Sequence, residues 1–120
     1  MIEGFEEYTA ELTDKEIPIC NRIAAGLKNR IGKENAITNL EIRQRLSKEE
    51  MIVSDAGVRK IVEYIRQNNI VPKVCSTSKG YFVAKNNEEL SSWIKSMKQR
   101  IGAMQCTLHS VIKGTDIKDF

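Results

Sequence analysis

The sequence predicts an α+β fold that is mostly α, with three helices, a β-hairpin and a long C-terminal helix. Three observations carry this. Apolar residues recur at spacings of three and four over most of the chain. That period breaks once, over "IVPKVCSTSKGYFVAKN", where β-branched and aromatic residues flank a polar centre. A capping pattern marks three helix starts, at Thr13, Thr38 and Ser54.

The first helix is expected over residues 14–31. Thr13 and Glu16 form a capping box, and Leu12 and Ile17 a hydrophobic staple across it. Ile17, Cys20, Ala24, Leu27 and Ile31 make one apolar stripe, and Gly32 is a natural stop. Pro18 either kinks the first turn or moves the start later. The second helix is expected over residues 39–46. Thr38 and Glu41 box its start, and Ile42 and Leu46 stand one turn apart.

The third helix follows Ser54, with Val53 and Val58 as its staple and Gly57 where a box would place Glu. Val58, Ile61, Val62 and Ile65 share one face. At 100° per residue the opposite face presents Ala56, Arg59, Lys60, Glu63 and Gln67. Arg59 and Glu63 stand at the i,i+4 spacing of an ion pair. Asn68 and Asn69 end the helix.

Two strands are expected over residues 72–76 and 81–84, with Gly80 free to take positive φ at the turn. A long helix then covers residues 88–113, capped by Asn86 or Asn87. Leu90, Ile94, Met97, Ile101, Met104, Leu108 and Val111 step 4-3-4-3-4-3 along it. That seam spans about 32 Å at 1.5 Å per residue, more than a body of some eighty residues covers. A homodimer through this helix is therefore expected.

Composition narrows the function classes. The chain has 120 residues and a net charge of +3, the size of one domain. Residues 1–21 carry a net −5, whereas residues 22–100 carry a net +8. A basic body with an acidic head points to a polyanionic partner. No apolar run reaches membrane-spanning length, and MIEGFEEY has no signal-peptide pattern, so a cytoplasmic protein is expected. Cys20, Cys75 and Cys106 are odd in number and widely spaced, which argues for reduced thiols used as small apolar residues. His109 is the lone histidine and reads as a helix-surface residue. No phosphate loop, metal-ligand spacing or nucleophile motif occurs. The expectation is a protein with no enzymatic activity, no metal, no cofactor and no small-molecule ligand.

The order helix, helix, helix, hairpin resembles a winged helix-turn-helix domain. Ile37-Thr38 with Glu41-Ile42 and Leu46 resembles the family's first motif helix. Val53-Ser54 with Val58-Arg59-Lys60 and Ile61 resembles its recognition helix, and Lys79-Gly80-Tyr81-Phe82-Val83 its wing return. The match covers residues 12–85. The turn between the motif helices, residues 47–53, is longer than the three or four residues of a tight helix-turn-helix. The resemblance extends to small winged-helix proteins of phages and prophages of Gram-positive bacteria, and implies a third strand near residues 35–37. It divides the chain into an acidic segment (1–11), a winged domain (12–85), a dimerisation helix (86–113) and a tail (114–120).

The resemblance also implies sequence-specific binding of double-stranded DNA by a dimeric transcription regulator or replication-associated protein. The third helix would enter the major groove. Ser54, Asp55, Ala56, Arg59, Lys60 and Glu63 are its candidate contacts, with Arg59 suited to a bidentate bond to guanine. Ser54 and the first N–H groups suit a phosphate, Ala56 and Gly57 a close approach. Lys73, Ser76, Thr77, Ser78, Lys79 and Arg43 are candidates for wing and phosphate contacts, with Lys28, Arg30 and Lys33 adding salt-sensitive affinity. The rival expectation is a winged-helix adaptor that binds protein through the long helix or the acidic segment, without reading DNA. Clustering of Arg59, Lys60, Lys73 and Lys79 on one face would favour DNA; scatter would favour the adaptor.

Overall fold

The structure is a computed structural model describing residues 11–114. The acidic segment's residues 1–10 and the tail's residues 115–120 lie outside the described residues. The chain is α+β and mostly helical. Its elements run α1 (Glu16–Leu27), α2 (Asn39–Lys48), α3 (Asp55–Gln67), β1 (Val74–Thr77), β2 (Gly80–Val83) and α4 (Asn87–Lys113), with a 3-10 turn at Lys33–Asn35 between α1 and α2.

Local chemistry sets most boundaries. At Thr38 both halves of the capping box form: its hydroxyl accepts the Glu41 N–H at 3.1 Å, and Glu41 accepts the Thr38 N–H at 3.1 Å. Ser54 accepts the Gly57 N–H at 3.0 Å, and Asn86 the Glu89 N–H at 2.9 Å. At Thr13 only half a box forms, its N–H donating to Glu16 at 2.9 Å. α1 begins at Glu16, which puts Pro18 in the first turn, where its missing N–H breaks no helical bond.

α2 and α3 end alike. Glu50 (φ 63°) and Asn69 (φ 51°) take left-handed backbone. The Met51 N–H reaches the Leu46 carbonyl at 2.9 Å and the Glu50 N–H the Ser47 carbonyl at 3.1 Å. The Ile70 and Asn69 N–H groups reach Ile65 and Arg66 at 3.0 and 3.1 Å. Both are Schellman closures.

α1 ends four residues earlier than the stripe predicted. The reason is competition for the backbone. The Arg30 carbonyl accepts the Val83 N–H at 2.7 Å, and the Gly32 N–H donates to the Val83 carbonyl at 2.8 Å. Ile31 thereby lies beside β2 as an isolated bridge and is half exposed, not part of the stripe. Ile17 is also exposed; Ile23 takes its place in the core. The expected third strand is reduced to single bridges, of which Ile37–Tyr81 (2.9 and 2.8 Å) is the one in the expected place.

β1 and β2 pair antiparallel with Thr77 opposite Gly80, leaving a two-residue turn at Ser78–Lys79. This is tighter than the five-residue centre expected. Gly80 has φ 122°, and a Cβ there would run into the Ile37 carbonyl group and stand 2.7 Å from the Thr38 nitrogen. Glycine here lets the hairpin sit against the start of α2.

α3 is the central element. Val58, Ile61, Val62 and Ile65 are essentially inaccessible, each worth about 1.5–3 kcal/mol of burial. α1 and α2 lean on α3 through Cys20, Ile23, Ala24, Leu27, Ile42 and Leu46. A second, smaller cluster of Cys75, Phe82 and Ala84 takes Leu90 and Trp93 against it, anchoring the first turns of α4. No residue of α4 is fully buried. Cys20 and Cys75 are buried, and burial pushes both thiols up; all three cysteines are free thiols, and Cys106 is exposed on α4. Among the described residues, no helix is long and apolar enough to cross a membrane.

Candidate nucleic-acid interface

The starts of α2 and α3 are tied together by side chains. The Asn39 amide donates to the Asp55 carbonyl at 3.1 Å, and its Oδ1 accepts from Arg43 Nε at 2.8 Å. The Asp55 carboxylate takes Arg59 Nη2 at 2.7 Å on one oxygen and lies 3.8 Å from Arg43 Nη2 on the other. Two guanidiniums and one carboxylate therefore leave this corner positive. Arg59 keeps 65% of its side chain exposed. An exposed ion pair of this kind holds by about 0–1 kcal/mol. The Arg59 fork can exchange Asp55 for another acceptor at little cost.

Arg59 does not pair with Glu63, as its spacing suggested. Helical side chains slant toward the N-terminus, so an Arg meets an acid four residues before it more readily than four after. Glu63 instead holds Arg66 at 2.6 Å. Ala56, one turn before Arg59, and Gln67, two turns after it, are both exposed, as the face count predicted. Gly57 has a packing reason. A Cβ there would stand 2.7 Å from Val53 Cγ2 and 3.1 Å from the Ser54 hydroxyl, so the staple and the cap both close over it.

Lys60 is on the other flank. Its ammonium reaches Glu16 of α1 at 2.8 Å, and this bond holds the Glu16 carboxyl below its ordinary range. The expected basic pair is thus split between two neighbours.

In the hairpin, Lys79 and Ser78 form the tip, and the Lys79 N–H donates to the Thr77 hydroxyl at 3.2 Å. Gly80, the residue after this tip, packs against Ile37 and Thr38 just before α2. Lys33, Glu34, Ala36, Thr77, Ser78 and Lys79 share a shallow groove, in which Glu34 is the acid and is paired with Lys85. The Ser76 hydroxyl accepts from Arg66 Nη2 at 3.1 Å, which fixes its position toward α3 and leaves its own O–H to donate. Lys73 lies at the far end of β1, its carbonyl accepting the Ala84 N–H at 3.0 Å. Of the four expected bases, Arg59 reaches α2 through Asp55, which bridges to Asn39 and Arg43, and Lys79 precedes the Gly80 contact with Thr38, while Lys60 turns to α1 and Lys73 lies at the far end of β1. Lys28 is exposed at the end of α1, and Arg30 lines a cleft between α1 and α2.

Sequence reasoning missed two residues. Asn39 joins the two helix starts. Arg66 joins α3 to the hairpin and α4: its Nε donates to the Val74 carbonyl at 3.1 Å, and its guanidinium lies 5.9 Å from the Tyr81 ring centre and 5.2 Å from that of Trp93. The only local signal was an Arg on the rim of an apolar helix face. The Trp93 indole N–H is buried with no hydrogen-bond partner among the described residues.

Along α4, Leu90 is taken up by the fold itself. Beyond it the seam is open: Ile94 and Ile101 are exposed, Met104 is 71% exposed, and Leu108 and Val111 are each 61% exposed. Met97 is half-buried. From Leu90 to Lys113 the helix carries Lys95, Lys98, Arg100 and Lys113 and no acid. No protein-family model, no curated protein and no solved structure matches the chain.

Proposed function

We propose that this chain is a dimeric double-stranded DNA-binding protein of the winged helix-turn-helix kind, serving as a transcription regulator or replication-associated protein of phage or prophage type. The observation that carries the reading is the corner where α2 and α3 begin. Two positive helix ends meet there, Arg43 and Arg59 flank them, and Gly80, the residue after the Ser78–Lys79 turn, packs against Thr38. In this reading the exposed face of α3 enters the major groove. Arg59 leaves Asp55 for the O6 and N7 of a guanine. Ser54, Ala56 and Glu63 lie along the same face. Arg43, Lys33, Thr77, Ser78 and Lys79 meet phosphates on either side. Lys60, Lys73 and Ser76 are weaker candidates, being engaged or placed elsewhere. The α4 helices of two copies pair through Ile101, Met104 and Leu108, setting two α3 helices about one DNA turn, roughly 34 Å, apart.

The test is fluorescence anisotropy of a labelled mixed-sequence duplex at two salt concentrations. Micromolar affinity that falls steeply with salt, and falls tenfold or more in Arg59→Ala, supports the reading. Equal affinity in wild type and variant refutes a groove role for α3. Sedimentation equilibrium of wild type and Leu108→Glu tests the dimer: a dimer that becomes a monomer is expected, and a wild-type monomer refutes it.

A second reading is a protein adaptor of the same fold. It is favoured by the Lys60–Glu16 and Arg59–Asp55 pairs, which already answer two of the four expected bases. On this reading the duplex does not bind at low salt, and the open α4 seam takes a protein partner.

A further inference from the structure

α1 and α2 both lean on α3, and between them a cleft of about 350 Å³ opens to solvent. Its floor is core: Ile23, Leu27, Ile42 and Leu46 are buried beneath it. Its rim is cationic. Arg22, Arg30 and Arg45 line it against a single carboxylate, Glu49. Arg22 Nε holds both Glu49 oxygens, at 2.9 and 3.0 Å, and straps the cleft at one end. Arg45 makes no ion pair among the described residues, and Arg30 spends its guanidinium on one long bond of 3.4 Å to the Asn35 carbonyl. Glu41, the other acid on this side of α2, closes the box at Thr38 and also feels the charges of Arg30 and Arg45, so three guanidiniums face two carboxylates here and one positive charge is left over.

Volumes of about 300–1,000 Å³ with an apolar floor and a few convergent charges are what small-molecule sites have. We propose that this cleft binds a small organic anion with an apolar body, such as an aromatic or branched aliphatic carboxylate. The apolar body rests over Ile23, Leu27 and Ile42. The anionic group takes the free donors of Arg45 and Arg30, in the bidentate geometry that guanidinium and carboxylate share. The Arg22–Glu49 strap limits the length the cleft accepts. Gly26 forms part of the wall and keeps it open. A Cβ there would meet only Arg22 Nη1, at 3.8 Å, an ordinary contact. A Cβ at Gly26 therefore meets no core atom, and a larger side chain there is expected to occupy the cleft. Arg45 and Arg43 point to opposite flanks of α2, so this site is separate from the corner proposed for DNA.

The probe is 8-anilinonaphthalene-1-sulfonate, an aromatic body bearing one anion. Its fluorescence is titrated against the full chain, without DNA, so the outcome is independent of the DNA reading. Saturable one-to-one binding is expected, with amide shifts at Gly26, Asn29 and Asn35. Arg45→Glu weakens it at least tenfold, Gly26→Leu abolishes it without lowering the melting temperature, and Met104→Ser/Leu108→Ser leaves it in place. The proposal is overturned if Arg45→Glu binds as wild type does, if the α4 variant removes the signal, or if no saturable binding occurs below millimolar probe.

Discussion

Replacing Arg66 by Met removes one guanidinium that holds three elements together while keeping an unbranched apolar stem. Only 17% of the Arg66 side chain is exposed. The loss has three parts. The Val74 carbonyl loses a charge-assisted hydrogen bond, worth about 1.5–3 kcal/mol. The stacks on Tyr81 and Trp93 are worth about 0.5–1 kcal/mol each, part of which a thioether over the rings restores. The bond to Ser76 and the exposed pair with Glu63 add a few tenths. The net expectation is about 3 kcal/mol. An unfolding entropy of about 2.1 cal/mol/K per residue over roughly a hundred ordered residues turns this into a melting-temperature drop of about 10–15 °C. Thermal and urea unfolding followed by circular dichroism read it directly. Glu63→Gln, which breaks only the exposed pair, is expected to cost under about 0.5 kcal/mol. An Arg66→Met protein melting within about 3 °C of wild type would show that Arg66 is an ordinary surface residue and that the hairpin is held by its apolar contacts alone.

Three further outcomes follow from the same geometry. Glu50→Gly relieves a left-handed residue in the Schellman closure of α2 and should raise stability by about 0.5–1 kcal/mol in urea unfolding; a loss would mean that Glu50 has a contact outweighing its backbone strain. Gly57→Ala should lower stability by about 1 kcal/mol, despite the better helix propensity of Ala, because its Cβ meets Val53 and Ser54; a gain of that size would show that the staple yields freely. Acid should weaken the fold in a defined way. Glu16 is held below its ordinary value by Lys60 and then by Thr13, and Glu41 by Thr38. A depressed folded value means that the unfolded chain takes up protons first. The stability from these carboxylates is therefore complete above the unfolded value of about 4.3 and is lost as pH falls through the lower folded values. Urea midpoints measured from pH 6 to 3 should fall less in Glu16→Gln than in wild type, and parallel curves would show that Lys60 and Thr13 hold Glu16 too weakly to matter.

What could be read beforehand was whatever is decided within a few residues. The box at Thr38 and Glu41, the cap at Ser54, the stop at Asn69 and the apolar face of α3 are all local, and each stands where its spacing put it. The end of α1 was misjudged because Ile31 continues the stripe, yet the backbone around it bonds to Val83, more than fifty residues away. The ion pairs were misjudged for a like reason. Sequence distance proposed Arg59 with Glu63, while side-chain slant gave Arg59 to Asp55, and the packing of α1 gave Lys60 to Glu16. The exposed face of α3 was legible from its period at Ala56, Arg59, Glu63 and Gln67, but not at Lys60, which α1 takes up through Glu16. The joining of that face to Asn39, and the cleft on the far flank of α2, depend on how helices cross. No local pattern encodes that.

The reading of α3 is tested most directly by amide shifts of the isotopically labelled chain on adding a twenty-base-pair duplex at low salt. The account predicts shifts concentrated over residues 54–60, at Asn39 and Arg43, and at residues 77–80, with Arg59 Nε–H among the largest. Shifts confined to α4, or none at all in the presence of excess duplex, would contradict it.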